Sequence, residues 1–442
     1  MNEDENKGIV FQIGYELPSQ QRVSLQLANL RWHAGGVFSN VYRGTLVSPG
    51  AEREIAIKKT WPKTPERNLE VLFLSGIKRK PHKNVVQMLF AFARNTQSAQ
   101  GSDTRSSYCE SYVFEFMPTT LHSLLKSRDG KIIRMPEMEM KVYTWQLFEG
   151  LRYLQAHMIV HRDIKPVNLL IDPDKNVLKI ADFGSAKIAQ RGSPSSPYQV
   201  TRFYRPPELL LDANEYYWMV DVWSAGCCVG EMMKGNVLFM GATPNMMLKL
   251  FVQAFGLPTK RDQEYMKVTT MIDPVSDVKL LGLKQALGDV SQEWADFLAE
   301  ILRYRPRDRL HGPKLLAHKF FDQIFADKCA LSNGQLVSQV ITREDYKTAI
   351  RNDCAAGKEY AAAVTKGVVK FSLKDVPAAP PIPTAPSAST TTATVPAPTN
   401  TTTPGKDSKD PPAPAPKVPS ADAQQTLISP TAIMSAKRTM NV

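Results

Sequence analysis

His161-Arg162-Asp163-Ile164-Lys165-Pro166-Val167-Asn168, with Asp182-Phe183-Gly184 downstream, is the stretch of this chain richest in reactive side chains. It places one base, one lysine and two oxygen ligands at a spacing suited to phosphoryl transfer. That chemistry asks a protein for positioning and charge neutralisation around an in-line displacement, with little covalent participation. Asp163 is the candidate acceptor of a substrate hydroxyl proton, and Lys165 the candidate cation for the γ-phosphate. Asn168 and Asp182 are the candidate ligands of Mg²⁺, a hard ion that takes carboxylate, amide, phosphate and water oxygens.

Phosphoryl transfer also needs a cradle for the nucleotide, supplied from elsewhere in the chain. Ile55-Ala56-Ile57-Lys58 reads as a short strand ending in a lysine able to reach the α- and β-phosphates. Thr64-Pro65-Glu66 reads as a helix start, with a capping hydroxyl, proline at the first position and an acid in the first turn. The helix is expected to run through Leu69, Glu70, Leu72, Phe73 and Leu74 to Gly76, with Glu70 facing Lys58. Ahead of the strand, Ala34-Gly35-Gly36-Val37-Phe38-Ser39-Asn40-Val41 aligns on Val41 with a glycine-rich phosphate loop, of whose glycines only the middle one stays in register. Such loops use glycine for positive φ and close backbone approach to phosphate, so this one is an eroded version.

Thr201-Arg202-Phe203-Tyr204-Arg205-Pro206-Pro207-Glu208 follows, then Asp221-Val222-Trp223-Ser224-Ala225-Gly226 opening an almost wholly apolar helix that ends near Gly235. Asp221 and Glu231 interrupt that run, which falls short of the ~20 apolar residues a bilayer span requires. It reads as a core helix. A further helix beginning at Pro136 sets Met138, Val142, Trp145, Phe148, Leu151 and Leu154 three or four apart, the spacing of a buried face.

Taken with Asp182 to Lys187, Pro197-Tyr198-Gln199-Val200-Thr201-Arg202, Asp221 to Cys227, His82-Lys83-Asn84-Val85-Val86 and Gly256-Leu257-Pro258-Thr259, the sequence resembles the glycogen synthase kinase 3 (shaggy) branch of the serine/threonine kinases. The likeness covers roughly residues 25 to 325 and is poor between Thr259 and Trp294. It implies an α+β, two-lobed kinase fold: a small antiparallel β-sheet lobe with one helix, and a larger, mainly α-helical lobe. The implied division is an N-terminal extension at 1–24, a kinase domain at 25–326 with lobes at 25–117 and 118–326, and a C-terminal extension at 327–374. ATP and Mg²⁺ are the implied cofactors, and protein substrates and scaffold proteins the implied partners. Adenine would lie against the hinge Phe114-Glu115-Phe116-Met117-Pro118, read by backbone groups of Glu115 and Met117 and sandwiched by Val41, Ala56 and Leu170. Phe114, bulkier than the leucine usual there, would narrow the pocket behind the base. Arg309 would pair with Glu208 as scaffolding.

The resemblance also implies substrates already phosphorylated four residues towards the C-terminus, recognised by clustered cations. Arg162 and Lys187 match two of the family's three. Leu69 stands at the third, and Arg67, two positions earlier, is about 200° away on a helix. A weakened or altered dependence on the priming phosphate is therefore expected. Tyr198 matches the tyrosine that the family phosphorylates, with Arg202 and Arg205 as its expected neighbours.

Composition fits this division. From about Asp375 to Val442 the chain is Pro, Ala, Thr and Ser with few large apolar residues, a composition that cannot offset its ordering entropy. Its start, Met1-Asn2-Glu3-Asp4-Glu5-Asn6, has no apolar leader, and the five cysteines lack metal-ligand spacing, so a reduced cytoplasmic or nuclear setting is expected. The net charge of +12 is dispersed, which favours acidic or phosphorylated substrates and ATP over nucleic acid, and no membrane partner is expected. Residues 327–374 offer no functional reading. The competing class is a pseudokinase scaffold, motivated by the eroded glycine loop, by Pro206 where the resembled family usually has alanine, and by Leu69. Against it, Lys58, Glu70, Asp163, Lys165, Asn168 and Asp182 are all present.

Overall fold

Alternation along Ile55-Ala56-Ile57-Lys58 shows how the small lobe is built. Ile55 and Ile57 are fully buried while Ala56 and Lys58 remain partly open on the opposite face, as the period of two in a strand requires. The computed structural model describes residues 8–17, 19–36, 39–62, 68–78, 80–95, 108–127, 129–189, 200–268 and 278–351. In the small lobe these form strands β1 (Val10–Glu16), β2 (Gln21–Gly35), β3 (Ser39–Ser48), β4 (Arg53–Thr60), β5 (Met88–Asn95) and β6 (Tyr108–Glu115). The order β1-β2-β3-β4-β6-β5 closes into an antiparallel barrel through the single pair Tyr15 with Ala91. Leu25, Leu27, Leu46, Ile55, Ile57, Phe90, Phe92 and Val113 fill its interior.

The small lobe's antiparallel sheet closes on itself, which leaves it without a free edge. Upstream of residue 25, the segment read as an extension supplies β1 and the start of β2. Its alternation is weak, since Val10 and Phe11 are exposed at the strand's outer end.

Helix α1 (Leu69–Ile77) begins later than the sequence suggested. Its cap is Asn68, whose Oδ1 accepts from the Val71 amide at 3.3 Å. Thr64 to Arg67 lie outside the described residues. The larger lobe is organised around α2 (Glu137–Ala156) and α3 (Met219–Lys234). Val142, Trp145, Phe148 and Leu154 of α2 are fully buried, with Leu151 nearly so and Met138 at the margin. Helix α3 is buried from Val220 to Met233 and ends at Gly235 with φ +78, a left-handed conformation that glycine adopts at no steric cost. Its two acids are matched: Asp221 accepts backbone N–H groups, and Glu231 accepts the Tyr204 hydroxyl at 2.7 Å. Arg309 donates both terminal nitrogens to Glu208 at 2.8 and 2.6 Å in a fully buried fork, as expected.

The part of the chain with least sequence signal, 327–351, packs on both lobes. Ser332 N donates to Glu139 at 2.6 Å and Asn176 Nδ2 to Gln335 at 2.9 Å. Lys83, in the linker after α1, donates to the Val340 carbonyl at 2.8 Å and to Asp345 at 2.5 Å. Residues 352–442, including the Pro/Ala/Thr/Ser-rich tail, lie outside the described residues. Among those described, no helix is long and apolar enough to cross a membrane.

Candidate active site

Lys58 sits on the cleft face of β4, and Glu70 in the first turn of α1 turns towards it. The Lys58 amine lies 2.6 Å from Glu70 and 3.2 Å from Asp182, so a strand, a helix and the loop after the larger lobe's small sheet converge on one ammonium. Burial by itself favours the neutral amine, but Glu70 and Asp182 outweigh it and hold the Lys58 pKa above its ordinary value. Burial likewise opposes ionisation of Asp182, and Lys58, helped by His161 and Lys165, keeps it below the usual carboxylate range.

Asp163 and Lys165 form a 2.7 Å ion pair at the mouth of the larger lobe. Asn168 Nδ2 donates to the Asp163 carbonyl at 2.8 Å and to its carboxylate at 3.0 Å. Thr201 Oγ1 donates to the other Asp163 oxygen at 2.8 Å. The loop holding these groups is fixed from below: the amides of His161 and Arg162 donate to the buried Asp221 carboxylate at 2.7 and 2.8 Å. His161 in turn meets the Ala181 carbonyl at 3.1 Å and packs edge-on against Phe183, tying this loop to the one that carries Asp182. In the sequence Thr201 is only the first residue of the run that ends at Glu208; the position of its hydroxyl on Asp163 has no signal in the local sequence.

The donor set fits magnesium and a triphosphate. With its nitrogen engaged on Asp163, Asn168 is left with its amide oxygen for a cation. Asp182 has a side chain 46% exposed towards the cleft. An amide and a carboxylate oxygen are the ligands Mg²⁺ prefers. Among the described residues no cluster of three His, Cys, Asp or Glu forms a further metal group.

Above this floor, Val41, Ala56 and Leu170 are all partly buried on the sides of the cleft, and Met117 is buried in the hinge. Glu115 is tied down through its amide on the Gln87 carbonyl at 3.4 Å and its carboxylate on Lys179 at 3.0 Å. Phe114 is 7% exposed within the core cluster that also contains Leu74 and Tyr112. Ala34 and Gly35 end β2, and the Gly36 amide donates to the Ser39 carbonyl at 2.7 Å. Neither Gly35 nor Gly36 has positive φ. At Gly35 a Cβ would stand 3.2 Å from Asn40 Oδ1, a tight contact with the end of a side chain. Val37 and Phe38 lie outside the described residues.

Arg162 and Lys187 share a wall. Arg162 Nε donates to the Ser185 carbonyl at 2.5 Å, its Nη1 reaches the Tyr216 hydroxyl at 3.5 Å, and Lys187 lies over the Tyr216 ring at 4.5 Å. Burial and then the Arg162 charge push the Lys187 pKa down to about 8. Leu69 is exposed. Tyr198 lies outside the described residues. Of its expected neighbours, Arg205 is buried and donates to the Val200 carbonyl, while Arg202 donates to the Ala242 carbonyl at 2.6 Å.

Comparison with known proteins agrees with this geometry. Residues 35–321 match the family model of the protein kinase domain. "Protein kinase gsk3" of Schizosaccharomyces pombe is 32% identical over 286 residues, covering 64% of this chain and 72% of the relative. "Glycogen synthase kinase 1" of Pyricularia oryzae is 32% identical over 300 residues, 68% and 73% of the two chains. "Protein kinase MCK1" of Saccharomyces cerevisiae is 29% identical over 357 residues, 76% and 91%. The chain belongs to the protein kinase family, in its glycogen synthase kinase 3-like branch, and is a serine/threonine kinase with the two-lobed fold.

Proposed function

We propose that this kinase transfers the γ-phosphate of MgATP to serine or threonine hydroxyls of protein substrates through the residues gathered in the cleft. The observation that carries the reading is the convergence of Lys58 on Glu70 and Asp182 beside the Asp163, Lys165 and Asn168 cluster. Asp163 accepts the substrate hydroxyl proton as the oxygen attacks phosphorus, with Thr201 and Asn168 orienting its carboxylate. Lys165 neutralises charge on the transferring group, and Lys58, oriented by Glu70, holds the α- and β-phosphates. Asn168 and Asp182 would hold Mg²⁺, which when bound would offset the charge of the phosphates. Ala34, Gly35, Gly36, Val41, Ala56, Glu115, Met117 and Leu170 frame the nucleotide.

Radiolabelled phosphate incorporation into a generic protein substrate tests this directly. Asp163→Asn is expected to lower the rate by about 10²–10⁴, and Lys58→Ala to do comparable damage. Equal labelling by wild type and both variants would instead support a scaffold that keeps the fold without the chemistry.

Arg162 and Lys187 serve as the cations for a phosphate already on the substrate, and the site works with two where the family uses three. Leu69 offers only apolar surface at the third position. A missing bond to a charged group costs roughly 1.5–3 kcal/mol, about ten- to a hundred-fold in preference. Twin peptides differing only in one phosphoserine should therefore differ only modestly in kcat/KM; a large preference for the phosphorylated twin would refute the weakened dependence. Tyr198 is proposed as the regulatory phosphorylation site, the protein as cytoplasmic or nuclear, and its partners as proteins, with no nucleic acid.

A further inference from the structure

Helix α1 carries Glu70, and a polar chain at its N-terminus reaches a residue that neither the motifs nor the resemblance singles out. Asn68 caps α1 with Oδ1, which must accept from the Val71 amide; its Nδ2 therefore faces the other way and donates to the Tyr112 hydroxyl at 3.0 Å. That hydroxyl has one proton, which it donates to Glu110. Every donor and acceptor in the chain Glu110, Tyr112, Asn68, Val71 thus has a single consistent direction. Tyr112 is 1% exposed and Glu110 9%, so water does not replace a broken link cheaply.

Register gives the chain its consequence. Tyr112 on β6 is the direct cross-strand partner of Lys58 on β4, so the two side chains leave the sheet on the same face. From that face Lys58 reaches Glu70, two residues past the cap, and Tyr112 reaches the cap itself. The same pair of strands therefore grips α1 at two points: one ionic, at the catalytic lysine, and one neutral, at the helix end.

We propose that the Tyr112 hydroxyl is a positioning group for phosphoryl transfer: through Asn68 it holds the start of α1 against the sheet, so that Glu70 meets and orients Lys58. This rests on the reading that the Lys58–Glu70 pair is needed for activity.

A double-variant cycle on the full chain tests it, with phosphate incorporation as the rate and ATP varied to separate kcat from KM. Tyr112→Phe keeps the ring and removes the hydroxyl. It is expected to lower kcat/KM for ATP about ten-fold, in keeping with the cost of sub-ångström misplacement of a catalytic group. In a Glu70→Gln background the same change should cost less than about two-fold, because the pair it serves is already broken. Asn68→Ser retains a capping oxygen that is too short to reach Tyr112 and should reproduce the Tyr112→Phe loss, which covers the case where Tyr112→Phe fails to fold. Amide exchange across Leu69–Ile77 should quicken in both. Equal losses with and without Glu70, or full activity in Tyr112→Phe, would overturn the proposal. If Glu70→Gln alone left the rate unchanged, it is the Lys58–Glu70 reading that would fail.

Discussion

Charge at single residues decides how this cleft behaves. Lys58 faces two carboxylates and is held protonated, while burial and then the Arg162 guanidinium push Lys187 down to about 8. The same side chain thus has opposite electrostatic settings in one site, and each suits its proposed ligand. A lysine beside another cation is kept less basic until an anion offsets the repulsion. Below pH 8 Lys187 is protonated in the free kinase. Above it, phosphate binding must first recapture a proton, so affinity should fall by up to about ten-fold per pH unit. The phosphate itself is already fully ionised there, since its second pKa is about 6. Fluorescence titration with a phosphopeptide at pH 7 and pH 9.5 checks this: binding should weaken with pH in wild type and flatten in Lys187→Arg. A flat wild-type profile would remove Lys187 from phosphate recognition.

At the scale of elements, helix α3 shows how packing overrides local propensity. Its motif residues Asp221 to Gly226 look like an ordinary apolar helix start, yet the helix is gripped all round. Asp221 holds the catalytic loop by two backbone amides, and a Cβ at Gly226 would stand 2.8 Å from Leu302 and 3.0 Å from Ile301, both fully buried. An alanine there improves helix propensity by about 1 kcal/mol but overpacks a closed core, at about 1–3 kcal/mol. Gly226→Ala is therefore expected to be neutral to destabilising in urea unfolding; a clear gain in stability would show that Leu302 can move aside.

The whole molecule extends further than its catalytic motifs. Residues 327–351 cover α2 and bind Lys83 in the linker below the small lobe, joining parts of the chain more than 250 positions apart. A chain ending at Ala326 would leave Glu139 and Lys83 without these partners. It should unfold at a temperature several degrees lower than a chain ending at Arg351, on the order of 2–4 °C per kcal/mol lost. Thermal melts of the two that coincided would show the extension to be a passenger.

Motifs whose chemistry is local were legible without a fold. Asp163, Lys165, Asn168 and Asp182 could be singled out because their types and spacing carry the information, and Lys58 and Glu70 because a strand and a helix each put one residue on a definite face. The core faces of α2 and α3 were equally readable, since periodicity records burial. The cap of α1, strand β1, Thr201 on Asp163, the Tyr112 chain and the docking of 327–351 could not be read that way. The Thr201, Tyr112 and 327–351 contacts join residues far apart in the chain, and hydrogen bonds of that kind leave no period or spacing along the sequence; the cap and β1 are local, but Thr64 offers a competing capping hydroxyl and the exposed Val10 and Phe11 break the alternation of β1. Sequence alone thus determined which groups could do the chemistry; only tertiary structure decided what holds them still, because orientation is set by neighbours that chain order does not name.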